Sequence, residues 1–165
     1  MVTVDEFNGM DTGLLRPTLL DCCDAPDWVD ALLNSRPYAN LDSLLTTADK
    51  AARALTPADV DRAVAAHPRI GEQAPGASRG SSWSREEQSG IETDVATVAH
   101  LKSANRLYEK RFHRVFLICA TGLSTSEILA TLLLRLSNDE ATEAEVVAVE
   151  LRKIALLRLR RVIVE

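Results

Sequence analysis

Thr56-Pro57-Ala58-Asp59-Val60-Asp61-Arg62-Ala63-Val64-Ala65-Ala66-His67-Pro68-Arg69-Ile70-Gly71-Glu72 opens and closes a helix within one short stretch. Pro57 suits a first helical turn, where its missing N–H costs nothing. Pro68 disfavours helical geometry in the residue before it, so the helix ends at about Ala66. Gly71 then permits a tight turn. Short helices, each with its own start and stop signal, are the pattern of the whole chain.

Upstream, Thr3 with Glu6 makes a capping box for a first helix. Leu14 to Cys23 reads as a second, with Pro17 near its start. Asp24-Ala25-Pro26 opens a third, through Trp28 and Leu32 to Leu33. Asp42 caps a fourth, with Leu44, Leu45, Ala48, Ala52 and Leu55 on one face. Downstream, residues Gln73 to Trp83 read as a polar loop. Ser84 restarts a helix that continues through Ala96, Ala99 and Leu107 to about Lys110. Val115 to Ala120 is a short apolar run, a buried strand or extended segment, broken by Thr121-Gly122. Ser124 with Glu127 caps a helix to about Leu136. Asn138 or Thr142 caps the last, which reaches about Val162. The expected fold is all-α: a single-domain helical bundle over residues 1–165 with one short extended apolar segment.

Composition agrees. The chain has 165 residues, 46% hydrophobic, with 7 Gly, 6 Pro and only 4% aromatics. That length buries a real core, and the dominance of Ala and Leu favours helix over sheet. The net charge of −5 and a pI near 5.3 argue against a nucleic-acid or anionic-membrane surface. Arg152, Lys153, Arg158, Arg160 and Arg161 are a local basic exception. Cys22, Cys23 and Cys119 form no CxxC pair and are odd in number, which points to free thiols in a reducing, cytoplasmic setting. No stretch is apolar enough to span a bilayer, and no signal-peptide or peroxisomal pattern is seen.

Chemistry concentrates in two runs, His67-Pro68-Arg69-Ile70-Gly71-Glu72 and Ser84-Arg85-Glu86-Glu87-Gln88. They bring an imidazole, carboxylates and a carboxamide close in sequence. A histidine at a helix C-terminus is favoured as imidazolium and suits proton transfer near neutrality. The plainer reading is a histidine that caps a helix carbonyl. Ser84 and Glu87 are spaced as a capping box, which would account for both without catalysis. A helix start there would also offer N–H groups to an anion, with Gln88 beside them. Arg158 and Arg161 share a helix face, and either suits a carboxylate; the plainer reading is two cations complementing the helix dipole. His67, His100 and His113 are scattered, and no metal or nucleotide motif is present, so no metal or cofactor is expected.

Four motifs in order carry a resemblance: His-Pro-Arg-Ile-Gly-Glu, Ser-x-x-Glu-Gln, Phe-x-x-x-Phe-Leu-Ile-Cys-Ala-x-Gly and Lys-Ile-x-x-Leu-Arg-Leu. The chain resembles the OHCU decarboxylases, which act on 2-oxo-4-hydroxy-4-carboxy-5-ureidoimidazoline between urate and allantoin. The resemblance implies an all-α carboxy-lyase, a homodimer, needing no cofactor. It implies His67 as catalytic acid–base with Glu87 holding or protonating the imidazole. Pro68, Ser84 and Gln88 would line the site, and backbone groups of Ile118, Cys119, Ala120, Thr121, Gly122 and Leu123 would bind ureido and ring amides. Arg158 best matches the carboxylate-binding arginine. One departure stands out: His113-Arg114-Val115 occupies a place where the family usually has a glycine followed by aromatic and small residues, which bears on the pocket's fine shape. Two other readings stay open, a lyase or hydrolase on a related ureido or hydantoin acid and a non-catalytic helical binding module.

Overall fold

The computed structural model describes residues 1–72, 79–89 and 94–165. Nine helices and one two-stranded ladder make up their regular structure: β1 (Val2–Thr3), α1 (Val4–Gly9), α2 (Thr12–Cys22), α3 (Pro26–Asn34), α4 (Leu41–Arg53), α5 (Pro57–Ala65), α6 (Arg79–Glu87), α7 (Val95–Phe112), α8 (Thr125–Arg135), α9 (Glu140–Val162) and β2 (Ile163–Val164). The protein is mostly α-helical, as expected. The chain divides into two compact units, 1–63 with 151–165 and 64–150.

In the first unit, α2 packs on α3 and α3 on α4. Their apolar faces enclose Phe7, Leu19, Trp28, Leu32 and Leu44, all fully buried together with Leu159 and Ile163. Trp28 satisfies its buried indole N–H by donating to the Ala48 carbonyl at 3.0 Å. The Thr3–Glu6 capping box forms, with Glu6 N–H donating to Thr3 Oγ1 and Thr3 N–H to Glu6 Oε2. Pro26 takes the first turn of α3. Other boundaries differ from expectation. Asp11 caps α2, so Pro17 lies inside it. Asn40, not Asp42, caps α4, because its side chain accepts from Ser43 N–H while Ser43 reaches back. The parallel pairing of β1 with β2, Val2 opposite Ile163, was not foreseen.

In the second unit, α7 packs on α8 around a cluster that includes Ile70, Leu101, Tyr108, Phe116, Ile118 and Ile128. Tyr108 stacks obliquely on Phe112 and edge-on to Phe116, with centroids 4.8 and 5.2 Å apart. Residues 115–120 belong to no helix or ladder, and Phe116, Leu117, Ile118 and Ala120 are buried, so the expected interior segment is present. The Ser124–Glu127 box opens α8. Asp139, rather than Asn138 or Thr142, starts α9, its carboxylate accepting from Thr142 N–H at 2.7 Å. The continuous helix expected from Ser84 to Lys110 is two helices. Gln88 and Ser89 form a turn after α6, and Asp94 caps α7 by accepting from Thr97 N–H. Of the loop expected over 73–83, residues 79–83 belong to α6, which begins at Arg79; residues 73–78 lie outside the described ones.

The departure at His113 has a structural counterpart. His113 ends α7 in the left-handed conformation, φ 54° and ψ 25°, its N–H donating to the Glu109 carbonyl at 2.9 Å. Glycine suits that backbone because it lacks the Cβ that crowds the carbonyl. His113→Gly is expected to stabilise the protein by about 0.5–1 kcal/mol, the relief of left-handed strain less glycine's extra unfolded-state freedom. Urea unfolding checks this as a raised midpoint at unchanged slope.

Candidate active site

The His67 turn is built from the end of α5. His67 N–H donates to the Val64 carbonyl at 2.9 Å, closing the last turn before Pro68. His67 and Pro68 are half-buried, and the imidazole Nε2 is shielded from solvent. Glu72 N–H donates to the Arg69 carbonyl, and Gly71 sits at φ 83°. The left-handed backbone favours glycine here, and a Cβ would lie 2.8 Å from Leu101 Cδ2, so a larger residue would also have to displace that side chain.

The motif's second half meets the first through one hydrogen bond. Gly71 N–H donates to Gln88 Oε1 at 2.8 Å, tying the histidine turn to the end of α6. Glu87 is the last residue of that helix and is only 8% exposed. Ser84 is 5% exposed and lies in the helix interior, so it caps nothing. Its hydroxyl donates to the Gly80 carbonyl four residues back, at 3.0 Å. The Ser-x-x-Glu capping box is therefore overturned, and with it the helix N-terminus expected there as an anion site. The reason is that α6 starts one turn earlier than Ser84.

The extended segment's backbone is partly spoken for. Cys119 N–H donates to Glu150 Oε2 at 2.8 Å. Leu123 N–H donates to the Ala120 carbonyl at 3.0 Å, closing a turn with Gly122 at φ 83°, the value a type II turn requires at its third residue. Ile118, Thr121 and Gly122 carry the other backbone groups of the expected set. Thr121 and Gly122 are exposed, while Ile118 is buried.

Arg158 belongs to the first unit, is 4% exposed, and donates from Nη1 to the Asp21 carbonyl at 3.1 Å. Arg161 is only half-buried and lies in the last helical turn. Burial, with Asp24 adding to it and Arg158 opposing, pushes the Cys23 thiol up to about 12. That thiol stays protonated and unreactive. Among the described residues, no three His, Cys, Asp or Glu side chains gather to hold a metal ion, and no helix is long and apolar enough to cross a membrane.

Sequence reasoning missed several residues that support the site. Asn105 Nδ2 donates to the Ile70 carbonyl at 2.9 Å. Glu109 grips Arg69 in two hydrogen bonds, 2.5 and 3.0 Å long. Arg135 Nη1 donates to the Leu117 carbonyl at 2.8 Å, just ahead of Ile118. The signal for Asn105 was present, a polar residue on the α7 face that carries Leu101, Ala104 and Tyr108.

A mostly helical protein that clamps a His-Pro turn to a helix ending in a buried glutamate has the parts of an acid–base enzyme. The family model described as OHCU decarboxylase matches residues 8–160, and the chain belongs to that family. It is 31% identical over 145 residues to the uric acid degradation bifunctional protein TTL of Arabidopsis thaliana, covering 85% of this chain and 44% of that protein. It is 31% identical over 136 residues to the 2-oxo-4-hydroxy-4-carboxy-5-ureidoimidazoline decarboxylase of Amia calva, covering 81% of this chain and 78% of that one. The chain thus spans less than half of the plant relative. A crystal structure of OHCU decarboxylase in the presence of (S)-allantoin superposes with a TM-score of 0.76 at 26% identity, covering 93% of this chain and 98% of that one.

Proposed function

We propose that this chain decarboxylates OHCU to (S)-allantoin and CO2, the last step from urate to allantoin. The observation that carries the reading is the Gly71–Gln88 bond, which joins the half-buried His67 turn to the helix end bearing Glu87. Family membership and the relatives' activities support it. Residues 1–165 are read as one such domain.

The substrate supplies its own electron sink, a C=N bond next to the carbon that bears carboxylate and hydroxyl. The carbon–carboxylate bond breaks, its electron pair enters that system, and the ring nitrogen takes a proton. The enol so formed loses its hydroxyl proton and gains one on carbon, on a single face. His67, aided by Glu87, moves these protons. Arg158 orients the carboxylate, and Pro68, Ser84 and Gln88 line the site. Gln88 spends its oxygen on Gly71, so its Nε2 is the end that offers donors to substrate. No cofactor takes part. Since Glu87 shares no capping box with Ser84, Glu87→Gln should lower kcat on the order of 10²-fold, the lower end for an acid–base group; steady-state turnover checks it.

The same reading places the protein in the cytoplasm, where Cys22, Cys23 and Cys119 stay reduced. It also makes the chain a homodimer, as the resemblance implies, with Leu133 and Leu134 exposed on α8; sedimentation tests this.

The deciding experiment is circular dichroism of allantoin formed when OHCU is generated in situ from urate. Unaided decay gives racemic product and no signal. A rapid (S)-allantoin signal is the expected result. A trace matching the protein-free control overturns the reading and favours a related ureido acid or a binding module.

A further inference from the structure

Three consecutive residues of the histidine turn are each held by α7, at positions one helical turn apart. Arg69 pairs with Glu109, Ile70 with Asn105, and Gly71 lies against Leu101. Residues four apart share a helix face, so 101, 105 and 109 form one edge. The turn lies along that edge.

The three contacts are not equal. The Arg69–Glu109 pair is half-exposed, and exposed pairs hold little. The Gly71–Leu101 contact is van der Waals and sets a limit of approach. Asn105 is different: it is 5% exposed, and its Nδ2 bond to the Ile70 carbonyl is buried. What this buried bond provides is the fixed place of Ile70, three residues from His67.

We infer that Asn105 is a positioning residue for the proton-transfer step, holding the His67 turn in register through the Ile70 carbonyl. It touches neither substrate nor imidazole in this role. Gln88 fixes the neighbouring Gly71 N–H from the α6 side, so the turn is gripped from two helices. Loss of the Asn105 grip frees the turn on the α7 side. A shift of about 1 Å in a catalytic group is enough to cost on the order of 10²-fold in rate.

This inference rests on the decarboxylase reading, and the experiment separates the two. Parent protein is assayed first with OHCU generated in situ. A parent that forms no (S)-allantoin above the blank overturns that reading, and this one with it. With an active parent, Asn105→Leu removes the donor at similar size. Expected are an intact helical spectrum and cooperative melt, KM within about threefold, and kcat lower by about 10- to 100-fold. A purely structural asparagine would change the melt and leave kcat per folded molecule alone. A kcat within about twofold of parent after correction for folded fraction therefore overturns the assignment. Should Asn105→Leu fail to fold, hydrogen exchange on the parent decides. A slowly exchanging Asn105 side-chain amide supports the grip, and exchange at the rate of a free amide overturns it.

Discussion

His67→Asn keeps the fold and lowers kcat by roughly 10²–10⁴-fold, the usual size of a general acid–base contribution. The fold survives because the turn is held by its backbone and by its neighbours. His67 N–H bonds to Val64, Ile70 is held by Asn105 and Gly71 by Gln88, and none of these bonds uses the imidazole. Asparagine keeps a polar group of similar reach but cannot take a proton near neutrality. The loss thus falls on kcat, with the melting transition and helical spectrum close to parental. The assay is (S)-allantoin formation from OHCU made in situ. Near-parental turnover by this variant would remove His67 from the mechanism.

Arg135→Ala is expected to destabilise the protein by about 3–5 kcal/mol, the cost of leaving one partner of a buried ion pair uncompensated. Glu143 is fully buried, and Arg135 reaches its Oε1 from Nε at 2.9 Å and Nη2 at 2.6 Å. The Tyr108 hydroxyl donates to the same oxygen, and Asn138 Nδ2 to the other at 2.8 Å. Burial and the bond to Glu143 push the Tyr108 phenol up, so it remains a donor. The guanidinium also lies 4.5 Å from the Phe116 ring centroid. Truncation removes a cation, a donor to Leu117 and a ring contact together. A loss of that size is a large part of a typical domain's stability, so urea unfolding should show a far lower midpoint. The double variant Arg135→Met with Glu143→Leu should recover part of it, because apolar pairs can replace buried ion pairs, less the cost of the Tyr108 hydroxyl and Asn138 amide that lose their acceptor. A double variant no better than the single one would mean that the loss comes from packing, from the Leu117 bond or from those two donors. Because Arg135 holds Leu117, stable double variants should still show altered substrate affinity.

The legible part of this molecule is the part that acts over a few residues. Thr3 with Glu6, Pro26, Pro68 and Ser124 with Glu127 each mark a helix end through neighbours in the chain, and the structure has those ends in place. His67 and Gln88 were legible as candidates for chemistry because their spacing set them in short runs of polar residues. Ser84 was legible as a residue and misread as a cap. Its Ser-x-x-Glu spacing satisfies the local rule, but α6 begins earlier and Ser84 bonds back to Gly80. Asp42 fits the local preference for a capping residue, but α4 already begins at Leu41 and Asn40 caps it.

What remained out of reach were partners distant in sequence. Asn105 and Ile70 are 35 residues apart, and so are Tyr108 and Glu143; Cys119 and Glu150 are 31 apart. Their meeting depends on how α7, α8 and α9 pack, which no local spacing encodes. Strands of two residues, joining Val2 to Ile163, are likewise too short to leave a periodic signal. The amino-acid sequence by itself determined the helical class, the position of most helix ends and the histidine motif, because caps, prolines and glycines act through adjacent backbone. The tertiary structure alone decided which side chains grip the His67 turn and the 115–120 segment, because a buried polar group takes whatever partner the packing brings within hydrogen-bond reach.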